Sequence, residues 1–251
     1  MEIYKSFASV YDLFMEDTEY DSWIEYLHKI WEKEGIRPEL ILDLGCGTGN
    51  ITHRLAEKGY EMIGVDISEE MLMIAKKKAE ESGLNILYLL QDMRDFELYG
   101  TVDVIVCLCD GMNYITDPDD MAAVFRQANN YLNPGGLFIF DLNTEYKFKY
   151  ILADHTFAHT EEDAAYIWEN FYDESEKMNE YYMNFFIKEK NGEKYHRFEE
   201  CHYEKSYSVE EIKTLIEKSG MEFVSAYDAF TFHPPSQTSQ RIYMIAKEKG
   251  K

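Results

Sequence analysis

Hydrophobic positions along this chain follow two rhythms. Residues 40–42, 62–65, 86–90, 102–108 and 137–140 are short, nearly continuous apolar runs of strand length. The segments between them carry apolar residues at intervals of three and four, as in Met71, Leu72, Ala75 and Ala79, or Met121, Val124, Phe125, Ala128 and Leu132. Strands apolar on both faces, separated by amphipathic helices, predict an α/β fold with a parallel sheet. Helix starts are marked as well. Ser68 precedes Glu69 and Glu70, Asp117 precedes Pro118, and Ser208-Val209-Glu210-Glu211 is a capping box before Ile212, Leu215 and Ile216. Within residues 4–34, Phe7, Val10, Tyr11 and Phe14, then Trp23, Leu27, Ile30 and Trp31, predict two helices.

From residue 164 to 207 the rhythm becomes period two. Residues 165–172, 180–190 and 193–203 predict three antiparallel strands, with Asn191-Gly192 as a tight turn between the last two. Tyr181, Met183, Phe185 and Ile187 share one face of the middle strand. Residues 221–230 and 241–247 predict two more strands, with Pro234-Pro235 in the loop between them. The organisation expected is therefore 1–144 as N-terminal helices and the first part of an α/β domain, 145–207 as an inserted antiparallel subdomain, and 208–251 as the helix and strands that complete the first domain.

The first apolar run leads into the densest chemical signal, LDLGCGTGN at residues 42–50, with Asp43 followed by Gly45, Gly47 and Gly49. A strand, a glycine turn and a helix make the first half of a nucleotide-type binding unit, because glycine allows positive φ and close approach of a ligand to the backbone. The free N–H groups at the helix start suit an anionic group. The dinucleotide pattern G-x-G-x-x-G fails here, since Asn50 stands at its last position.

The D-x-G-x-G-x-G spacing instead resembles motif I of the class I S-adenosylmethionine (SAM) methyltransferases, and the resemblance extends over residues 1–143 and 205–248. It implies a Rossmann-like, seven-stranded, mostly parallel sheet with an antiparallel last strand, to which the insert adds a three-stranded antiparallel sheet. It also implies a cofactor set. Asp66, about 20 residues past the first glycine, would grip both ribose hydroxyls. Asp92 would accept from the adenine amino group, and the backbone N–H of Met93 would meet a ring nitrogen. Asp43, Gly45, Cys46, Gly47, Gly49, Ile67, Gln91, Leu108 and Asn113 complete the candidate SAM contacts. The pattern Tyr4-x-x-Phe7-Ala8-x-x-Tyr11-Asp12 is similar to the family's N-terminal lid, which makes Tyr4 a cofactor contact and Tyr11 a candidate near the reacting methyl. YLNPGGLFIFDLNT (131–144) resembles the family's stretch after the fourth strand, where Asp141 either faces the substrate or caps a turn. Relatives acting on amino sugars and small amines place inserts like 145–207 over the active site or at subunit contacts. In the insert, Trp168, His196, Arg197 and His202 are the residues to inspect.

Composition narrows the acceptor. The net charge over 251 residues is −23. Nucleic-acid binding draws most of its affinity from Lys and Arg on phosphates, so an acidic chain without a basic stripe argues against that partner. It suits a neutral or cationic small molecule. The fourth strand also ends in Cys109-Asp110-Gly111-Met112 rather than the N-P-P-[YF] motif of exocyclic-amine nucleic-acid methyltransferases. Four cysteines without framework spacing read as reduced thiols, no metal ligand set is expected, and the start MEIYKSFASVYD has neither a basic nor an apolar leader segment. No apolar run reaches membrane-spanning length. These features lead us to expect a cytoplasmic protein, with pairing of two copies through the inserted sheet as an open route to a homodimer.

The reaction implied is in-line transfer of an activated methyl group to N or O of a small molecule, with S-adenosylhomocysteine (SAH) as product. Holding the acceptor in line supplies most of the acceleration, and a base is needed only where the acceptor must lose a proton. Asp110 and Tyr11 are the candidate catalytic residues. A SAM-binding regulator without turnover, a protein methyltransferase and an NAD-dependent oxidoreductase are the alternatives.

Overall fold

The computed structural model describes residues 8–15, 18–189, 192 and 194–251. The N-terminal part contributes α1 (Ala8–Phe14) and α2 (Tyr20–Glu34), followed by β1 (Leu40–Leu44), α3 (Asn50–Glu57), β2 (Glu61–Asp66), α4 (Glu69–Ser82), β3 (Leu87–Leu90) and β4 (Val102–Cys107). A 3₁₀ turn at Gly111–Tyr114 precedes α5 (Pro118–Tyr131) and β5 (Leu132–Asn143). After a π-type turn at Lys147–Leu152 come β6 (Thr156–Thr160), β7 (Ala164–Asp173), β8 (Met178–Lys188) and β9 (Tyr195–Lys205). The chain closes with α6 (Val209–Lys218), β10 (Glu222–Asp228) and β11 (Arg241–Lys247).

Seven strands form one sheet in the order β10-β11-β5-β4-β1-β2-β3. β1 pairs parallel with both β2 and β4, while β11 runs antiparallel between β5 and β10. The parallel strands β1 and β4 and the inserted β11 are buried almost throughout, as expected for strands covered by helices on both faces. One side packs Phe125, Phe138 and Phe140 with α5 and α6, and the other packs Ile24, Leu27 and Ile30 of α2 against Ile41, Val104 and Ile139. The caps form as their sequences demand. Ser68 Oγ accepts from Met71 N, Asp117 caps α5 ahead of Pro118, and the Ser208–Glu211 box is complete.

Two expectations need correction. The inserted sheet has four strands, β6-β7-β8-β9, not three. Thr156–Thr160 is an exposed edge strand with one half-buried apolar side chain, Phe157, so it carries almost no alternating apolar pattern. Asn133-Pro134-Gly135-Gly136 does not delay the fifth strand to residue 137. β5 already starts at Leu132, and the chain absorbs the irregularity by a register shift between Val102 and Val104 and by a φ of 75° at Gly135. The turn expected at Asn191-Gly192 lies partly outside the described residues.

Candidate functional site

The glycine turn leaves β1 at the carboxyl edge of the sheet. Gly45, Gly47 and Gly49 have φ of 69°, 54° and 78°. Gly45 and Gly47 line a narrow cleft with Asp43, Cys46, Thr48 and Leu108, roofed by Tyr11 and Tyr20. Gly49 has a different task. It opens α3, and a Cβ there would stand 2.6 Å from the Tyr88 hydroxyl, so its glycine serves helix packing.

Asp66, at the tip of β2, accepts from Gly47 N at 2.7 Å through Oδ2 and from Ser68 N at 2.8 Å through Oδ1. It therefore braces the glycine turn while each oxygen keeps a lone pair for a ligand hydroxyl. Asp43 is buried and accepts from Thr52 Oγ1 at 2.6 Å. Burial pushes its carboxyl pKa up to about 7, and the nearby Asp66 charge adds to the shift. Between about pH 4 and pH 7 the folded state then holds a proton that the unfolded chain has lost. Stability contributed by Asp43 is greatest at the acid end of that window and falls as pH rises through it. Asp43→Asn should remove this pH dependence, a change of roughly 3–4 kcal/mol across the window, read from denaturation midpoints at a series of pH values.

The lid residue Tyr4 lies outside the described residues, whereas α1 is in place over the cleft. Asp12 holds it there, accepting from Thr48 Oγ1 at 2.6 Å, Asn50 Nδ2 at 2.9 Å and Lys78 Nζ at 2.9 Å. Ala8, Val10, Tyr11 and Phe14 of α1 pack with Met71 of α4 and with Ala164 and Phe185 of the inserted sheet, so α1 joins the two over the cleft. Burial, and after it the Cys109, Tyr20 and Asp110 groups, holds the Tyr11 hydroxyl protonated well above its ordinary range. Asp12 is itself half-exposed, so Asp12→Ala should lower global stability by only about 1 kcal/mol. The same change should raise hydrogen exchange and proteolysis of α1 several-fold, which a mass-spectrometric exchange experiment would show.

The other predicted contacts divide. Leu108 lines the cleft, and Met93 packs at the glycine turn, where a Cβ on Gly45 would stand 3.2 Å from its Cε. Ile67 is 61% exposed beside Asp66. Gln91 is occupied on both amide atoms by the backbone of Glu97, and Asp92 is clasped by Arg94, which holds its carboxyl below the usual range and also pairs with Asp120. Asn113, expected at the cofactor, has its side-chain amide taken up within the protein. It is fully buried, donates to the carbonyls of Asn143 and Lys205, and accepts from Asn143 N, locking the 3₁₀ turn to β5 and β9.

Asp110 follows Cys109 at the cleft wall, and both have positive φ, 58° and 61°. Its carboxylate pairs with Arg241 at 2.9 Å, and Arg241 also pairs with the fully buried Asp141. Burial is the largest influence and raises the Asp110 pKa, but the Arg241 and Lys147 charges and the hydrogen bonds from Arg241 and Glu204 together outweigh it and hold the carboxyl below its ordinary range, making it a weak base. Asp141, left open between substrate and turn, is thus Arg241's partner, and it also accepts from Asp110 N. Of the insert's residues, His196 and Arg197 are exposed and paired with glutamates, whereas His202 is buried between Tyr114 and Glu200.

Sequence reading placed Asp12 in the lid pattern without a role and missed Lys147, Glu204 and Arg241. A signal existed for Arg241. It opens an antiparallel strand, so it must lie at the carboxyl edge where the parallel strands end. A charge at position 204, in the same alternating row as His202, was the corresponding signal in the insert.

An antiparallel strand between β5 and β10, with a glycine turn braced by the carboxylate at the tip of β2, defines the fold of the class I SAM-dependent methyltransferases. This chain belongs to that family. A methyltransferase-domain profile matches residues 41–136. YqeM of Bacillus subtilis strain 168, a protein provisionally named a methyltransferase, is 38% identical, with 98% of this chain and 97% of that protein covered. The crystal structure of an S-adenosylmethionine-dependent methyltransferase from Clostridium acetobutylicum is 32% identical, with a TM-score of 0.87 and 98% and 99% of the two chains covered. SAM-bound CalS10, an amino pentose methyltransferase from Micromonospora echinaspora, shares the fold at 17% identity with a TM-score of 0.72, covering 96% of this chain and 97% of that one. SAM is accordingly the cofactor, and the oxidoreductase alternative is set aside. The residues present fit it. Glycines bare the backbone of the cleft, Asp66 keeps free lone pairs, and the buried Asp43 carboxyl suits a cationic amino end. No helix among the described residues is long and apolar enough to cross a membrane.

Proposed function

We propose that this enzyme methylates a nitrogen or oxygen of a small molecule. The observation that carries the proposal is the closed roof. α1 packs against both α4 and the inserted sheet, so the glycine-turn cleft lies beneath a helix rather than in an open groove. A folded protein or a nucleic-acid strand would need that roof displaced, whereas a small molecule demands far less room. The charge of −23 adds a field that disfavours phosphate polymers and favours neutral or cationic acceptors.

When bound, SAM supplies a methyl group already activated on a sulfonium. Gly45 and Gly47 present bare backbone to the cofactor, Asp66 takes the ribose hydroxyls, and Tyr11 with α1 excludes water from above. The adenine roles of Asp92 and Met93 rest on family resemblance, since Asp92 here is turned to Arg94. Cys109, Asp110 and the inserted sheet wall the acceptor side. Cytoplasmic location and pairing of two copies through the inserted sheet fit this reading.

The test is to incubate the protein with methyl-labelled SAM and a cell extract separated into low-mass and protein fractions. Label in the low-mass fraction is the expected result. Label only in protein would establish the protein-methylating alternative, and tight SAM binding with no transfer to either fraction would establish a regulator.

A further inference from the structure

One buried group beside the cleft is unused so far. Glu204, on β9 of the insert, is 2% exposed. Its Oε2 accepts from Tyr181 OH at 3.2 Å and Asn143 Nδ2 at 3.3 Å. Its carboxyl also lies within hydrogen-bonding reach of Asp110, whose other partner is Arg241. Lys147 faces the same cluster from the π-type turn, donating to Asn143 Oδ1 at 2.8 Å. Three carboxyls, Asp110, Asp141 and Glu204, thus share two cations, Arg241 and Lys147. The cluster is neutral only when one carboxyl holds a proton, and Arg241 has claimed the other two. Burial, and after it the Asp110 charge, pushes Glu204 well above the ordinary carboxyl range, which agrees with this assignment.

The surrounding sheet face has unused hydrogen-bonding capacity. Asn179 stands directly across from Glu204 in the β8–β9 register and is fully buried, and its Oδ1 has no partner among the described residues. Asn170 Nδ2 and Trp168 Nε1, in the same inward row of β7, also lack partners. The cluster reaches the SAM cleft through Cys109 and Tyr11, which line that cleft and feel the Asp110 charge.

We propose that Glu204 carries the shared proton of a Glu204–Asp110 pair, releases it to solvent when the positive charge of SAM enters the neighbouring cleft, and then serves as the base for an acceptor bound as an ammonium. In that last step the ammonium N–H bond breaks, its electron pair stays on nitrogen as the attacking lone pair, and the proton ends on the Glu204 carboxylate. The base role rests on the small-molecule reading above and narrows it to amines. The coupling to SAM does not depend on that reading.

SAM and SAH provide the discriminating pair, because both carry the same amino-acid and adenosine groups and differ in the methyl and its positive charge. Proton release is read calorimetrically, as the dependence of binding heat on buffer ionisation enthalpy between about pH 6 and 8. SAM should release up to about one proton more than SAH, and Glu204→Gln, which mimics the protonated side chain, should abolish that difference while still binding both. Equal release by SAM and SAH in the wild type, or a difference that survives Glu204→Gln, would overturn the proposal. Failure of SAM to bind would instead remove the cofactor reading itself and the proposal with it.

Discussion

Asp66→Ala should weaken SAM binding by at least about tenfold, because charge-assisted bonds of this kind are worth roughly 1.5–3 kcal/mol each. The structure adds a second reason. Asp66 already accepts from Gly47 N and Ser68 N, so its removal also unbraces the glycine turn and the entry to α4. The two contributions separate with Asp66→Asn, which keeps one carbonyl oxygen to brace the turn but loses the charge. Affinity for SAM and SAH should fall in both variants, further in the alanine one, and a thermal midpoint should drop mainly in the alanine variant. Unchanged affinity in Asp66→Ala would remove Asp66 from the cofactor site.

Arg241→Met should be strongly destabilising. It leaves Asp141, which is fully buried, and Asp110 without their cation. Orphaning a buried charge pair typically costs about 3–5 kcal/mol. In a chain of this size that corresponds to a fall in melting temperature on the order of 10 °C. The loss should shrink at acid pH, where the orphaned carboxyls can take up protons. The Arg241→Met, Asp141→Leu double variant should recover part of the loss, because an apolar pair of similar volume avoids the uncompensated charge. A thermal midpoint for Arg241→Met within a degree or two of wild type would show that the pair does not act as a buried ion pair.

The parts of the site readable in the sequence are those built locally. The turn at Gly45 to Gly49, the carboxylate at the end of the next strand, and the caps at Ser68, Asp117 and Ser208 each depend on residues within one strand-turn-helix step. Physical chemistry ties residue type to backbone shape over that range. Asn113 shows where such reasoning stops. A polar residue in a loop at the carboxyl edge reads as a ligand contact, yet its amide is consumed by backbone groups of β5 and β9 that are distant in sequence. Arg241 with Asp110, and Glu204 with Asn143, are likewise pairs between elements that meet only after the sheet and its insert are assembled. No local pattern announces them. The edge strand Thr156–Thr160 was unreadable for a different reason. Exposed except at the half-buried Phe157, it has little need of apolar alternation.

The cleft above the glycine turn carries the whole account, and the most direct test of it is parallel calorimetric titration of the purified protein with SAM, SAH and NADH. Micromolar binding of SAM and SAH with no heat from NADH is the result expected of a turn lined by Gly45 and Gly47 and braced by Asp66. Binding of NADH with silence toward SAM and SAH would contradict it, and with it the roles given to Asp66, Asp43 and the α1 roof.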